Sequence, residues 1–256
     1  MKKLYLLTKV EFHFTTAIYF LLSFFAGLFK QTLTVFFIVL FHELAHTLTA
    51  YCFNFRINKI KILPFGAFLE LDDYGVHHVL EELCVVLAGP LSHIILNAIF
   101  VYLYNQKFIS LHHYEYCLLM SQSILFFNLL PIYPLDGAKI IMLLFSYILD
   151  YLVVLKIVLV CSIVSLFYFF YIYFDLEYFI VFSFLIFMVY QYYRDYYLFY
   201  HRLLISRLSS CQYKHRKIQK KFKFHRPYHN FYVLNNYFID EKDFIKRNML
   251  KSELRK

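Results

Sequence analysis

The chain has 256 residues, enough for one or two domains, and 61% of them are apolar, with a mean hydropathy of +0.55. That composition excludes an ordinary soluble globular domain and reads as an all-α polytopic membrane protein. The net charge of +9 is uneven: residues 201–256 hold 15 Lys and Arg against 4 Asp and Glu, while the rest of the chain holds 11 against 13, so the basic excess belongs to a tail. Five cysteines (Cys52, Cys84, Cys117, Cys161 and Cys211) are odd in number and form no CxxC pair, so they read as small buried apolar residues.

Lys2, Lys3 and Lys9 precede an apolar run, but Glu11 and His13 interrupt it and no small-residue cleavage site follows. The expectation is an uncleaved first span from about Thr15 to Phe29. The second span, about Thr32 to Phe53, carries HELAH at 42–46. Residues four apart lie on one helix face, one turn above the other, so His42 and His46 can hold one zinc ion. Glu43, next to His42, can take a proton from a water that the metal acidifies. The alternative is a pair of structural histidines, but two imidazoles and a carboxylate in hydrocarbon are costly unless paired or metal-bound.

From Asn54 to His78 the chain is too polar to span. Ile57 to Leu63 and Ala67 to Leu71 read as two short strands turned by Pro64-Phe65-Gly66, a β-hairpin at the membrane edge. The third span, Glu82 to Tyr104, contains a predicted break at Gly89-Pro90 and three polar residues, Ser92, His93 and Asn97, which should face protein. His93 reads as a helix–helix hydrogen-bonding residue, with a third metal ligand as the alternative.

The fourth span, about Tyr114 to Leu130, ends in NLLPIYPLDG at 128–137, where two prolines and a glycine forbid a continuous helix. Ala138 to Leu149 is apolar again, so the fourth segment is broken at membrane depth. Such backbone is tolerated only inside protein or along a water-filled cavity. Asp136 lies in the break and needs a cation: the metal at HELAH is the first candidate, an ion pair with Lys139 the second. The last spans, about Tyr151 to Phe174 and Tyr178 to Tyr193, complete six.

With the N-terminus inside, the inner side collects Lys2, Lys3, Lys9, Arg56, Lys59, Lys61, Lys139, Lys156, Arg194, Arg202 and the tail, against Lys30 and Lys107 outside. This asymmetry puts both termini and the hairpin in the cytoplasm. The basic-aromatic tail suits anionic membrane lipid first and a partner protein second; nucleic acid is not expected as a partner.

His42, His46 and Asp136 together make the three-ligand zinc set of a catalytic site, with Glu43 as general base and acid. These motifs resemble the site-2 protease family of intramembrane zinc metalloproteases: HELAH at 42–46, LPFGA at 63–67, AGPLSHIILN at 88–97 and NLLPIYPLDG at 128–137. Within it the chain looks most like a group of sporulation proteases.

The resemblance implies an intramembrane endopeptidase with a Zn2+ cofactor, removing the pro-sequence of a late mother-cell sigma factor under regulatory membrane proteins. It also implies location in the forespore outer membrane facing the mother cell, and a substrate-positioning role for Asn128. A membrane metal transporter using the same ligands is the competing function. The expected organisation is a six-span metalloprotease domain over 1–200, with its catalytic core at about 30–150, and a basic cytoplasmic tail over 201–256.

The chain departs from the resemblance in three places. Ala67 stands where the family often has a second glycine. No PDZ-like insertion is evident. The tail shows no pattern of a CBS-type nucleotide-binding domain.

Overall fold

The structure is a computed structural model that describes residues 10–12, 14–63, 66–71, 77–172, 179–209, 216–219, 223–234 and 237–253. Lys2, Lys3, Lys9, the Pro64-Phe65 turn, Asp175, Glu177, Cys211 and much of the tail's basic run lie outside the described residues. The chain divides into two units, 1–74 with 81–129, and 75–80 with 130–256.

In the first unit, strand β1 (Val10–Phe12) precedes helices α1 (Phe14–Phe25) and α2 (Phe29–Cys52). Strands β2 (Ile57–Leu63) and β3 (Gly66–Leu71) follow, then helices α3 (Val79–Asn105) and α4 (Leu111–Asn128). Strands β2 and β3 pair antiparallel, from Ile57 opposite Leu71 to Leu63 opposite Gly66. Strand β1 adds in parallel to β2, with Val10 opposite Ile60, making a three-stranded sheet. Lys59 pairs with Glu11 at 2.6 Å along this junction. The three residues of β1 lie ahead of the expected span and are too few to show a strand pattern; they become a strand because β2 offers an edge.

Three helix ends in this unit share one device. Beyond α1, α2 and α3, the residues Gly27, Asn54 and Lys107 take positive φ values of 72°, 59° and 60°. At each, paired backbone bonds satisfy the last carbonyls: Leu28 to Ser23 and Gly27 to Phe24, Phe55 to Ala50 and Asn54 to Tyr51, Phe108 to Leu103 and Lys107 to Tyr104. Glycine and asparagine tolerate this left-handed position well. The turn after α3 imposes it on a lysine.

Helices α2, α3 and α4 close around Ile38, Leu96, Phe100 and Cys117. A second cluster joins Ala50, Phe55 and Val85. The break expected at Gly89-Pro90 does not occur, since α3 runs through Pro90. A proline removes one N–H from the ladder, which a helix packed among neighbours can absorb.

The second unit holds helices α5 (Asp136–Phe145), α6 (Tyr151–Ile172) and α7 (Phe179–Ser209), strands β4 (Arg216–Gln219), β5 (His229–Leu234) and β6 (Tyr237–Ile239), and helix α8 (Glu241–Glu253). The backbone between Asn128 and Asp136 is non-helical, as the two prolines require. Tyr133 donates its N–H to Ser162 at 3.0 Å and stacks on Tyr192 at 4.4 Å, anchoring this stretch to α6 and α7.

The protein is mostly helical, but its tail departs from the all-α expectation. Besides the β1–β3 sheet, the tail forms a second one, with β4 parallel to β5 and β5 antiparallel to β6. Its basic residues mask short apolar runs such as Phe231-Tyr232-Val233-Leu234, so composition hides the strands. Buried polar groups hold this module together. Arg207 of α7 is 2% exposed, lies 3.7 Å from Glu241, and donates to the carbonyls of Arg226 and Tyr228. The backbone N–H of Asn230 donates to Glu241 at 2.6 Å. Phe224 is tied to the start of α6: its N–H donates to Asp150 and its carbonyl accepts from the Tyr151 N–H at 2.9 Å.

Among the described residues, three helices are long and apolar enough to cross a membrane: α2, α3 and α6. Helix α1 has 12 residues, about 18 Å at 1.5 Å per residue, short of a ~30 Å hydrocarbon core. The cysteine expectation fails in part, because Cys52 and Cys84 are exposed while Cys117 is buried. An exposed position on an apolar helix still suits a weakly polar thiol.

Removing the negative partner of a buried arginine leaves an uncompensated charge, at a cost of about 3–5 kcal/mol. Glu241→Gln should therefore loosen the C-terminal module. Limited proteolysis in detergent should cut residues 210–256 faster in the variant than in the wild type.

Candidate metal centre

Helix α2 sets the site by its pitch. His42 and His46 are 2% and 7% exposed, on one face, with ring centroids 4.7 Å apart and planes at 81°. Their Nε2 atoms face each other at 3.1 Å. Two ligands at ~2.05 Å from one tetrahedral ion would stand about 3.3 Å apart, so this spacing is that of a chelating pair.

The outer nitrogens are both engaged by α3. His46 Nδ1 donates to the Val85 carbonyl at 2.7 Å, which fixes its proton there and leaves the Nε2 lone pair facing inward. His42 Nδ1 meets His93 Nε2 at 3.2 Å. His93 is not among the converging donors: its other nitrogen bonds Ser121 Oγ of α4 at 2.9 Å. It thus makes the helix–helix contact expected for it.

Between His42 and His93 along the chain lies Gly89, and its missing side chain makes the room. A Cβ there would stand 2.2 Å from His46 Nε2 and 2.7 Å from His42 Cε1. The α3 backbone therefore closes one side of the histidine pair. The sequence marked Gly89 only as part of a break, though the four-residue steps Val85, Gly89, His93 signal a single helix face.

Asp136 opens α5 and is 4% exposed. Asp136 Oδ1 accepts from Lys139 Nζ at 3.1 Å. The ion pair with Lys139, the second candidate partner expected for Asp136, is thus present. The two facing imidazole nitrogens of α2 are donors suited to a zinc ion.

Glu43 sits half-buried beside His42, and Thr47 Oγ1 donates to its backbone carbonyl at 2.8 Å. Asn128, also half-buried, ends α4 and donates to the Ile124 carbonyl at 3.1 Å.

Residues 31–110 match the model of peptidase family M50. Stage IV sporulation protein FB of Bacillus subtilis is 41% identical over 145 residues, covering 57% of this chain and 50% of that protein. A zinc metalloprotease of Methanocaldococcus jannaschii is 33% identical over 124 residues, covering 46% of this chain and 35% of that one. The chain thus spans about half or less of the length of these curated relatives. Among solved structures, the site-2 protease from Methanocaldococcus jannaschii shares the fold at a TM-score of 0.52 and 24% identity, covering 71% of this chain and 89% of that one. Over residues 31–110 the chain is thus similar to peptidase family M50.

Proposed function

We propose that the protein is an intramembrane zinc endopeptidase that cleaves a membrane-associated protein, with His42, His46 and Asp136 as metal ligands and Glu43 as general base and acid. The observation that carries this reading is the buried pair of imidazoles on α2, with Nε2 atoms facing each other at 3.1 Å. A zinc ion held there supplies Lewis acidity, bringing the pKa of a water towards ~7 and polarising a peptide carbonyl.

The chain's own residues do the rest. Glu43 takes the proton of the attacking water and delivers it to the leaving amine as the C–N bond breaks. Asp136, at the N-terminus of α5, lies beside Lys139 and the positive end of the helix dipole, both of which favour a carboxylate there. Asn128 helps position the substrate. A substrate must be extended to expose its carbonyls, and the β1–β3 sheet, placed at the membrane edge, offers backbone for strand addition.

The substrate class that fits the similarity to Stage IV sporulation protein FB is a sporulation pro-sigma factor, cut to release its pro-sequence. The proposed topology has six spans, both termini in the cytoplasm and a location in the forespore outer membrane. Regulatory membrane proteins and membrane lipid are its proposed partners.

Two substitutions separate metal binding from chemistry. Glu43→Gln should keep zinc and lower cleavage by roughly 10²–10⁴-fold, the usual worth of a general base. Asp136→Ala should lose most of the zinc from the purified protein, measured by elemental analysis. A co-expressed pro-sigma factor reports cleavage by gel mobility. Full zinc and full cleavage in Asp136→Ala would remove the third-ligand assignment.

A further inference from the structure

We propose that His93 is a positioning residue for the metal centre, setting the tautomer of His42 through a hydrogen-bond chain that ends on Ser121. The proposal rests on the zinc reading above and adds a residue to it.

The geometry is a line of four groups. Ser121 Oγ lies 2.9 Å from His93 Nδ1, His93 Nε2 lies 3.2 Å from His42 Nδ1, and His42 Nε2 lies 3.1 Å from His46 Nε2. All four side chains are buried, with Ser121 at 0% and His93 at 1% exposure. With one proton on each imidazole, the protons can be arranged along the line in two senses.

In one sense, Ser121 donates to His93, His93 to His42, and His42 through Nε2 to His46. That arrangement satisfies the atoms but spends the Nε2 lone pairs of both ligands. In the other sense, His42 donates from Nδ1 to His93, and His93 donates from Nδ1 to Ser121. His42 Nε2 then presents a lone pair beside that of His46, whose proton is already fixed on Nδ1 by the Val85 carbonyl. Two lone pairs at 3.1 Å repel unless a cation lies between them. Metal binding and the second sense therefore require each other.

One face of α3 supplies this whole support. Val85, Gly89 and His93 are four residues apart: a carbonyl for His46, an absent side chain that admits both rings, and an acceptor for His42. Ser121 on α4 sets the far end. Partners of this kind orient ligands, and their loss typically weakens metal binding 10–100-fold.

The test is zinc affinity of the purified full chain in detergent, by competition with a chromogenic chelator. His93→Phe fills the ring's space without its nitrogens. His93→Gln places an amide oxygen the same number of bonds from Cα as Nε2, so it can accept from His42 Nδ1. The expected result is a 10–100-fold weaker Kd for His93→Phe, largely restored in His93→Gln, with Ser121→Ala in between. Thermal stability of the metal-free proteins should differ little between the two His93 variants. Wild-type affinity in His93→Phe overturns the proposal, and so does equal loss in both His93 variants, which would mean packing alone. Absence of zinc from the wild type would overturn the metal reading itself, and this proposal with it.

Discussion

Two imidazoles held 3.1 Å apart inside an apolar helix bundle are the constraint on which the rest of this structure depends. Histidine in hydrocarbon is expensive unless every polar atom is matched. The surrounding chain can be understood as that matching. The pitch of α2 aligns the rings, α3 provides a carbonyl and a second imidazole, and α4 provides a hydroxyl. Gly89 is where the matching meets its steric limit, because the two rings occupy the space that any larger residue would need. Asp136 is matched by Lys139.

Much of the site was legible in the sequence because its spacing is dictated by helix geometry. Four-residue separation in HELAH puts His42 and His46 on one face whatever the tertiary structure. Two prolines near Asp136 end a helix regardless of context. The same reasoning failed at Gly89-Pro90, where local propensity predicted a break but packing on both sides kept α3 whole. His93 shows the middle case: its polarity inside a span signalled a partner, but only the fold reveals that the partner is His42.

The tail was the least legible part. A charge excess reads as a solvated anchor, and residues 216–253 instead contain three strands and a helix. Their stability comes from a few buried long-range pairs, Arg207 with Glu241 and Asp150 with Phe224, which no local pattern announces. Phe224 attaches to the turn that begins α6, five residues after α5 ends at Phe145. The strand β1 was missed for a related reason, since three residues acquire strand geometry only from the edge they join.

Zinc K-edge X-ray absorption on the purified wild-type protein tests the central claim most directly. The account predicts two imidazole ligands at ~2.0–2.1 Å, with oxygen completing a shell of four. Three imidazoles would place His93 in the first shell and contradict the account. So would any sulfur ligand at ~2.3 Å.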